Sequence, residues 1–485
     1  MARIDCAILR CLPHKQTAPA QPVVLACYHI LGQNRDKETA ALCWAPFEQK
    51  ASCCLSTTYK SHSVIQSGNG RCLVVRCRCG GAYDRAGVLP RTAALIRLGG
   101  YSLHSELVIS AHYRRLREQL LSTPRTWVVT GIAGFIGSNL LQELLALGQT
   151  VVGVDNFSTG HRSNLDDALA APGLCPPQFK MIEGDIRDLD TCRAACEGAD
   201  YVLHHAALGS VPWSMDDPLR TNGVNVDGFV NMLVAAKDAH IKRFVYASSS
   251  AVYGDTSDIP QVEERTGRPL SPYAASKTTN ETYALAFQMS YGLQAIGLRY
   301  YNVFGPRQDP AGAYAAVIPR WIASLLRGER CRIFGDGETT RDFCFIANIV
   351  QANMLAATVG DEAATAQAYN VACAESVTLN QLFRMMRDRL AVGDARFAHS
   401  MPQYDDFRQG DIRYSRASIE KARRMLSFSP THDVAEGLAE SLEWYVERAR
   451  AMSVRDGAAA RRHLPAPSTL KAPEHAGLPA TMATS

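Results

Sequence analysis

The chain has 485 residues, 47% of them hydrophobic, and a formal net charge of +4. That is ample for a large core, in one large domain or two intimate ones, and the near-balanced charge gives no case for nucleic acid. No stretch approaches the roughly 20 uninterrupted apolar residues of a membrane span, and the charge-broken N-terminus (Met1 to Arg10) is no signal peptide, so a cytoplasmic protein with reduced thiols is the default.

Residues 1–107 read differently from the rest. Nine of the 15 cysteines fall before residue 80, with Cys53 and Cys54 adjacent and Cys72, Cys77 and Cys79 crowding an Arg/Gly stretch. Zinc ligands need paired Cys or His at fixed spacing, and no two such pairs occur, so no metal is expected. Apolar residues show neither helical nor strand period over a useful length. The expectation is a poorly ordered extension, with Val108 as an alternative start and the extension left untranslated.

From Tyr113 the pattern changes. Tyr113 to Leu121 predicts a short amphipathic helix, and Thr126 to Thr130 a buried strand. Gly131-Ile-Ala-Gly134-Phe-Ile-Gly137 follows, then a helix over Ser138 to Leu147 and a second strand over Gln149 to Asp155. Strand, glycine turn, helix, strand and acid in register read as a dinucleotide site. Gly131 allows the tight turn, Gly134 lets backbone approach a pyrophosphate, and Gly137 lets the helix pack on the sheet. The helix N-terminus binds phosphates. Asp155 would hold ribose hydroxyls and repel a 2′-phosphate, so NAD is favoured over NADP.

The alternation continues with a strand over Phe179 to Gly184, followed by Asp185 and Ile186 where an adenine would lie. Tyr201 to His204 is a strand with His205 to Gly209 as its loop. Asn222 to Ala239 is a helix, and Arg243 to Ser248 a strand with Ser249, Ser250 and Ala251 at its carboxyl end. Tyr273 to Tyr291 is a helix and Ala295 to Arg299 a strand. Alternating strands and helices predict an α/β fold, a doubly wound parallel sheet with ligands at the carboxyl ends of its strands.

Ser271-Pro-Tyr-Ala-Ala-Ser-Lys277 concentrates the chemistry. Tyr273 and Lys277 are four apart, so they share one face of a helix that Pro272 starts. A tyrosine titrating near pH ~10 must drop about 3 units to act as a base near neutrality, roughly 4 kcal/mol. A positive charge at ~4 Å, at an effective dielectric of ~20, supplies about that much. Tyr-x-x-x-Lys alone is short and common by chance; at the same sheet edge as Ser249 it is a candidate base.

The glycine turn, Ser248-Ser-Ser-Ala-Val-Tyr-Gly254 and Tyr273-x-x-x-Lys277 resemble the extended short-chain dehydrogenase/reductase family, and within it the nucleotide-sugar 4-epimerases. The likeness is closest to UDP-N-acetylglucosamine 4-epimerases of bacterial surface-polysaccharide pathways. It is carried further by Asp155-Asn-Phe-Ser-Thr-Gly-His161, His205-Ala-Ala-Leu-Gly-Ser-Val-Pro212, Asn302-Val-Phe-Gly-Pro-Arg-Gln308, Gly312 to Pro319 and Gly335 to Phe343, and runs from about Tyr113 to about Val446.

The resemblance implies an epimerase unit over 108–450. Residues 108–300 would be mainly the NAD-binding Rossmann part, and 301–450 mainly the smaller nucleotide-sugar part, with some chain exchange. It implies a homodimer and a UDP-sugar substrate. Tyr273 would take the proton of the sugar 4-hydroxyl, Ser249 would hydrogen-bond the same oxygen, and Lys277 would hold the nicotinamide ribose and lower the Tyr273 pKa. Hydride leaves C4 for NAD and returns to the other face of a 4-keto sugar, with no net redox change.

Implied cofactor contacts are Gly131, Gly134, Phe135, Ile136, Gly137, Asp155, Asn156, Ser158, Thr159, Gly160, Asp185, Ile186, Ala206 and Ala207, with Tyr273 and Lys277. Implied substrate contacts are Gly209, Ser210, Ser249, Ser250, Asn302, Gln308, Val317, Phe334, Arg341, Arg408 and Ser415. Asn302, Arg341 and Arg408 match diphosphate positions, Phe334 the uracil position and Ser415 the wall opposite C2, which is a tyrosine in some UDP-galactose 4-epimerases. The resembling 4,6-dehydratases and UDP-glucuronate decarboxylases carry an acid where this chain has Ser250-Ala251, so both are disfavoured beside epimerisation. UDP-glucose is the alternative sugar, and a non-enzymatic NAD sensor would have no need of the triad. The tail, 451–485, is rich in Ala, Pro, Arg and Ser without an apolar period and is expected to be disordered.

Overall fold

The computed structural model describes residues 4–9, 63–66, 72–79, 97–98, 101–102, 110–171, 178–309, 316–407 and 413–462. The chain divides into two units, residues 1–96 and 97–485. In the first, Ile4–Leu9 and Ser63–Gln66 each pair antiparallel with Cys72–Cys79. The sequence shows no strand period here because runs of four to eight residues are too short to register one.

The second unit is built on one parallel sheet. Helix α1 (Ala111–Ser122) starts two residues before its expected place, because Ser110 caps it by accepting from Tyr113 N at 3.2 Å. It buries Tyr113, Leu116 and Leu120. Then come β1 (Thr126–Thr130), α2 (Phe135–Ala146), β2 (Thr150–Asp155), β3 (Phe179–Glu183), β4 (Tyr201–His204), α3 (Gly228–Asp238), β5 (Arg243–Ser249), α4 (Pro272–Tyr291), β6 (Ala295–Tyr300) and β7 (Gln367–Val371). The strand order is β3-β2-β1-β4-β5-β6-β7, all parallel.

Alternate side chains serve opposite faces. Trp127 and Val129 join the core with Leu140, Leu141 and Leu144 of α2, while Val128 joins Val152, Val202, Phe229 and Phe244 in the core on the other side. Both faces are covered, so the strands read as continuous apolar runs rather than alternating ones. Strand β7 comes from the part of the chain that otherwise builds the substrate side and pairs with β6, Ile296 opposite Gln367.

Two elements differ from expectation. The helix expected over Asn222 to Ala239 forms, but it starts at Pro218 and carries a π turn over Gly223–Asp227 before α3 continues it. The extra residue in the turn aims Asn225 inward. Its amide accepts from Leu208 N at 2.8 Å, donates to Leu208 O at 3.1 Å and donates to Ser276 Oγ at 3.1 Å. A turn specified by such distant partners leaves no local trace. Of the tail, residues 451–462 carry helical backbone as the end of α5 (Val434–Arg462), and 463–485 lie outside the described residues. An Ala- and Arg-rich run needs no apolar stripe to be helical, because its intrinsic propensity is high. Among the described residues no helix is long and apolar enough to cross a membrane.

Candidate active site

A cleft of about 720 Å³ opens at the carboxyl ends of β1, β2, β4 and β5. A second pocket of about 250 Å³ shares Asn302, Val303 and Ala316 with it. The residues singled out in the sequence divide between them.

The cofactor side is built from backbone. Gly131 has φ +68, and a Cβ there would meet the His205 and Ala206 backbone at 2.8–2.9 Å. At Gly137 a Cβ would lie 2.2 Å from Gly131 O, so the turn closes on the helix only because both positions lack side chains. Gly134 caps α2 without any side-chain bond, which leaves the first-turn N–H groups to a ligand. Asp155 accepts from Ala133 N at 2.9 Å and Phe157 N at 2.8 Å. Burial pushes its carboxyl up, and those two amides pull it back. Asn156, Ser158, Thr159, Gly160, Ile186, Ala206 and Ala207 line the same cleft, as do Phe135 and Ile136. Asp185 does not: it is bonded to Arg187 and to Asn156 Nδ2 (2.8 Å), which hold it down to about 2. A glycine-lined turn, open amides at a helix N-terminus and a carboxylate one strand away are the donor set that NAD requires, and these residues fit it.

Ser249, Tyr273 and Lys277 come together on the same cleft. Ser249 ends β5; its Oγ accepts from Ala251 N at 3.1 Å, and its nearness to Tyr273 lowers the phenol. Ser271 caps α4 through Ala274 N at 3.1 Å, with Pro272 in the first turn, which fixes Tyr273 at the helix start. Lys277 is buried. Its Nζ donates to Ala247 O at 2.9 Å and lies 6.0 Å from the Tyr273 ring centroid. Burial lowers the ammonium to about 8. Burial also raises the Tyr273 phenol above its ordinary value, and Ser249 is what pulls it back. Sequence spacing gives the helix face but not where a flexible four-carbon side chain ends.

The residues expected at the substrate come from separate loops, short strands and a helix start. Gly209, Ser250, Asn302, Gln308 and Ser415 line the main cleft, and Val317, Phe334 and Arg341 line the second pocket. Ser210 lines neither; its Oγ caps the short helix Val211–Asp216 by accepting from Trp213 N at 3.2 Å. Arg408 lies outside the described residues. The buried Gln308 Oε1 has no hydrogen-bond partner among the described residues, while its Nε2 donates to Val303 O at 2.9 Å.

Sequence reasoning missed the support behind the triad. Glu281, one turn beyond Lys277 on α4, accepts from Ser248 Oγ at 2.6 Å and from Arg299 at 2.8 and 2.9 Å. Arg299 also donates to Tyr253 OH at 3.0 Å. This largely buried pair ties α4 to β5 and β6 at Ser248, the residue before Ser249. Four-residue spacing from Lys277 places Glu281 on the same face, a signal that was available. His205 and Tyr300 were missed as well; both line the cleft, His205 Nε2 lies 2.9 Å from Tyr300 OH, and burial holds the imidazole down to about 3.

Comparison with known proteins agrees with this geometry. Residues 127–372 match the model of the NAD dependent epimerase/dehydratase family. The UDP-glucose 4-epimerase of Mycolicibacterium smegmatis is 37% identical over 320 residues, 66% of this chain and 97% of its own length. The UDP-glucuronate 4-epimerase 4 of Arabidopsis thaliana is 31% identical, over 66% of this chain and 75% of its own. Among solved structures, the UDP-N-acetylglucosamine 4-epimerase of Methanobrevibacter ruminantium M1, in complex with UDP-N-acetylmuramic acid, is 38% identical with a TM-score of 0.61, covering 67% of this chain and 99% of its own. The chain belongs to the NAD dependent epimerase/dehydratase family. It is an enzyme, and its cofactor is NAD.

Proposed function

We propose that the chain is a UDP-sugar 4-epimerase whose preferred substrate is a UDP-N-acetylhexosamine or the corresponding uronic acid. The observation that carries the epimerase reading is the gathering of Ser249, Tyr273 and Lys277 on the cofactor cleft. UDP-sugar 4-epimerases of glucose, glucuronate and N-acetylglucosamine stand among the relatives, so the activity has broad support and the sugar is the finer question.

Bound in this cleft, NAD would accept a hydride from the sugar C4 and return it. Gly131, Gly134 and Gly137 would hold its diphosphate against α2, and Asp155 its adenosine ribose. Tyr273 removes the proton of the 4-hydroxyl and gives it back after the sugar turns, while Ser249 donates to the same oxygen and steadies its charge. Lys277, fixed by Ala247 O, stands ready for the nicotinamide ribose. Ser250-Ala251 offers no carboxylate for proton transfer at C5 or C6, which argues against dehydration or decarboxylation.

Room for an acyl-amino group supports the sugar preference. A Cβ at Gly209 would meet nothing within 4 Å, and the wall carries Ser415 rather than a large ring. Arg341, Arg408 and Asn302 would hold the diphosphate while the sugar turns, and Phe334 would face the uracil. Such an activity suits surface-polysaccharide synthesis. Exposed Tyr283, Leu285, Met289 and Tyr291 on α4 support a homodimer through that helix, which sedimentation would check. The substrate test is kcat/KM for UDP-N-acetylglucosamine, its uronic acid and UDP-glucose, before and after Ser415→Tyr. The variant should cost the acetylated sugars far more, because a clash discriminates more sharply than a lost contact. Equal losses, or a wild-type preference for UDP-glucose, defeat the assignment.

A further inference from the structure

Ser415 sits in a segment pinned from two sides. On one side Gln261 N donates to Arg416 O at 2.8 Å and Ser418 N to Gln261 O at 2.9 Å. On the other, Thr340 N donates to Arg413 O at 2.8 Å, and Ala417 N donates to the side chain of Asp342 at 3.2 Å. The last of these is unlike the others, because a titratable side chain makes it.

Asp342 is fully buried. Its second carboxylate oxygen accepts from Cys373 N at 2.9 Å, and its backbone carbonyl accepts from Asn302 Nδ2 at 3.1 Å. Its chain neighbours Arg341 and Phe343 line the second pocket, where Asn302 meets the main cleft. One residue thus joins the wall segment, the loop at Cys373 and the Asn302 loop. Among the described residues no lysine or arginine lies within salt-bridge distance of it, although Glu375 adds a like charge nearby. Burial accordingly pushes the carboxyl up, to about 7. A carboxylate without a cation is a costly way to hold two amides, but it suits this geometry: it offers an acceptor to each N–H, where an asparagine offers only one oxygen.

We propose that Asp342 is a positioning residue for sugar selectivity: by holding Ala417 N–H and Cys373 N–H on separate oxygens, it sets how far the Ser415 wall stands from the sugar. This rests on the reading of Ser415 as the wall opposite C2. Loss of one acceptor frees the Ala417 end of the segment while leaving Gln261 and Thr340 in place. The wall then slackens rather than unfolds.

The test is a double-mutant cycle on the NAD-loaded enzyme, with Asp342→Asn, Ser415→Tyr and the pair, read as kcat/KM for UDP-N-acetylglucosamine and for UDP-glucose. Asp342→Asn should leave bound NAD unchanged and move the ratio of the two sugars at least about fivefold, the size of a 1 kcal/mol effect. In the pair, the tyrosine should cost the acetylated sugar less than it does alone, because the freed segment lets the ring move aside. An unchanged ratio, or effects that simply multiply, overturns the proposal. Should Asp342→Asn fail to fold, Ala417→Pro removes the N–H from the other end of the same bond and is read in the same cycle. A wild type that prefers UDP-glucose refutes the substrate reading alone, since the shift in ratio and the coupling are still measured.

Discussion

The two ends of the cleft are made differently. The cofactor end is centred on a short piece of chain, Gly131 to Gly160, in which backbone atoms and missing side chains define much of the site. The proposed substrate end is gathered from Asn302, Gln308 and Ser415 in the cleft and Val317, Phe334 and Arg341 in the adjoining pocket, brought near one another only once the chain has folded. A site of the first kind fails at a single methyl group. A site of the second kind gives way by degrees, and so can be retuned for another sugar without disturbing the cofactor.

The largest effect is expected where the two ends meet. Tyr273→Phe should lower turnover by the roughly 10²–10⁴-fold owed to a positioned base and leave NAD bound, as stopped assays and the absorbance of released cofactor would record. Retention of more than about a tenth of the activity would remove Tyr273 from that role. Next comes Gly137→Ala. Its Cβ would press on Gly131 O from 2.2 Å, so the purified protein should lose its NAD while still binding UDP by calorimetry. Loss of both ligands together would blur the contrast drawn above. Arg341→Ala at the other end should raise KM by roughly 10- to 150-fold, the worth of one charged hydrogen bond at about 1.5–3 kcal/mol, with NAD content unaltered. A fall in kcat alone would move Arg341 off the nucleotide. The smallest effect is expected from deleting residues 1–107: NAD content, melting temperature and kcat/KM should match those of the full chain, and a destabilised product would make that segment part of the enzyme.

Legibility followed the same division. The glycine turn, Asp155 and the alternation of strands could be read in advance because each rests on local spacing. Tyr273 and Lys277 share a face by periodicity, yet the position of the Lys277 ammonium depends on Ala247 O, thirty residues away. Asn225 was unreadable for the same reason: its partners are Leu208 and Ser276. Asp185 and Ser210, expected at the ligands by resemblance, do not line the cleft: one is held by Arg187 and the other caps a short helix. The helical backbone beyond Ala451 was passed over because an apolar stripe was sought where propensity alone sufficed.

Strand β7 has a consequence for how the protein is made. It pairs with β6 from some seventy residues downstream, Ile296 against Gln367, so during synthesis β6 emerges as a bare, fully buried-type edge and waits for its cover. An uncovered apolar edge recruits strands from other chains. A ribosome that stalls between the two strands, or a gene cut there in search of a minimal cofactor domain, would release a chain with its nucleotide site already written and its sheet still open. Such a fragment should collect in inclusion bodies, and expressing the segment through Val371 should be the least extension that restores it to solution.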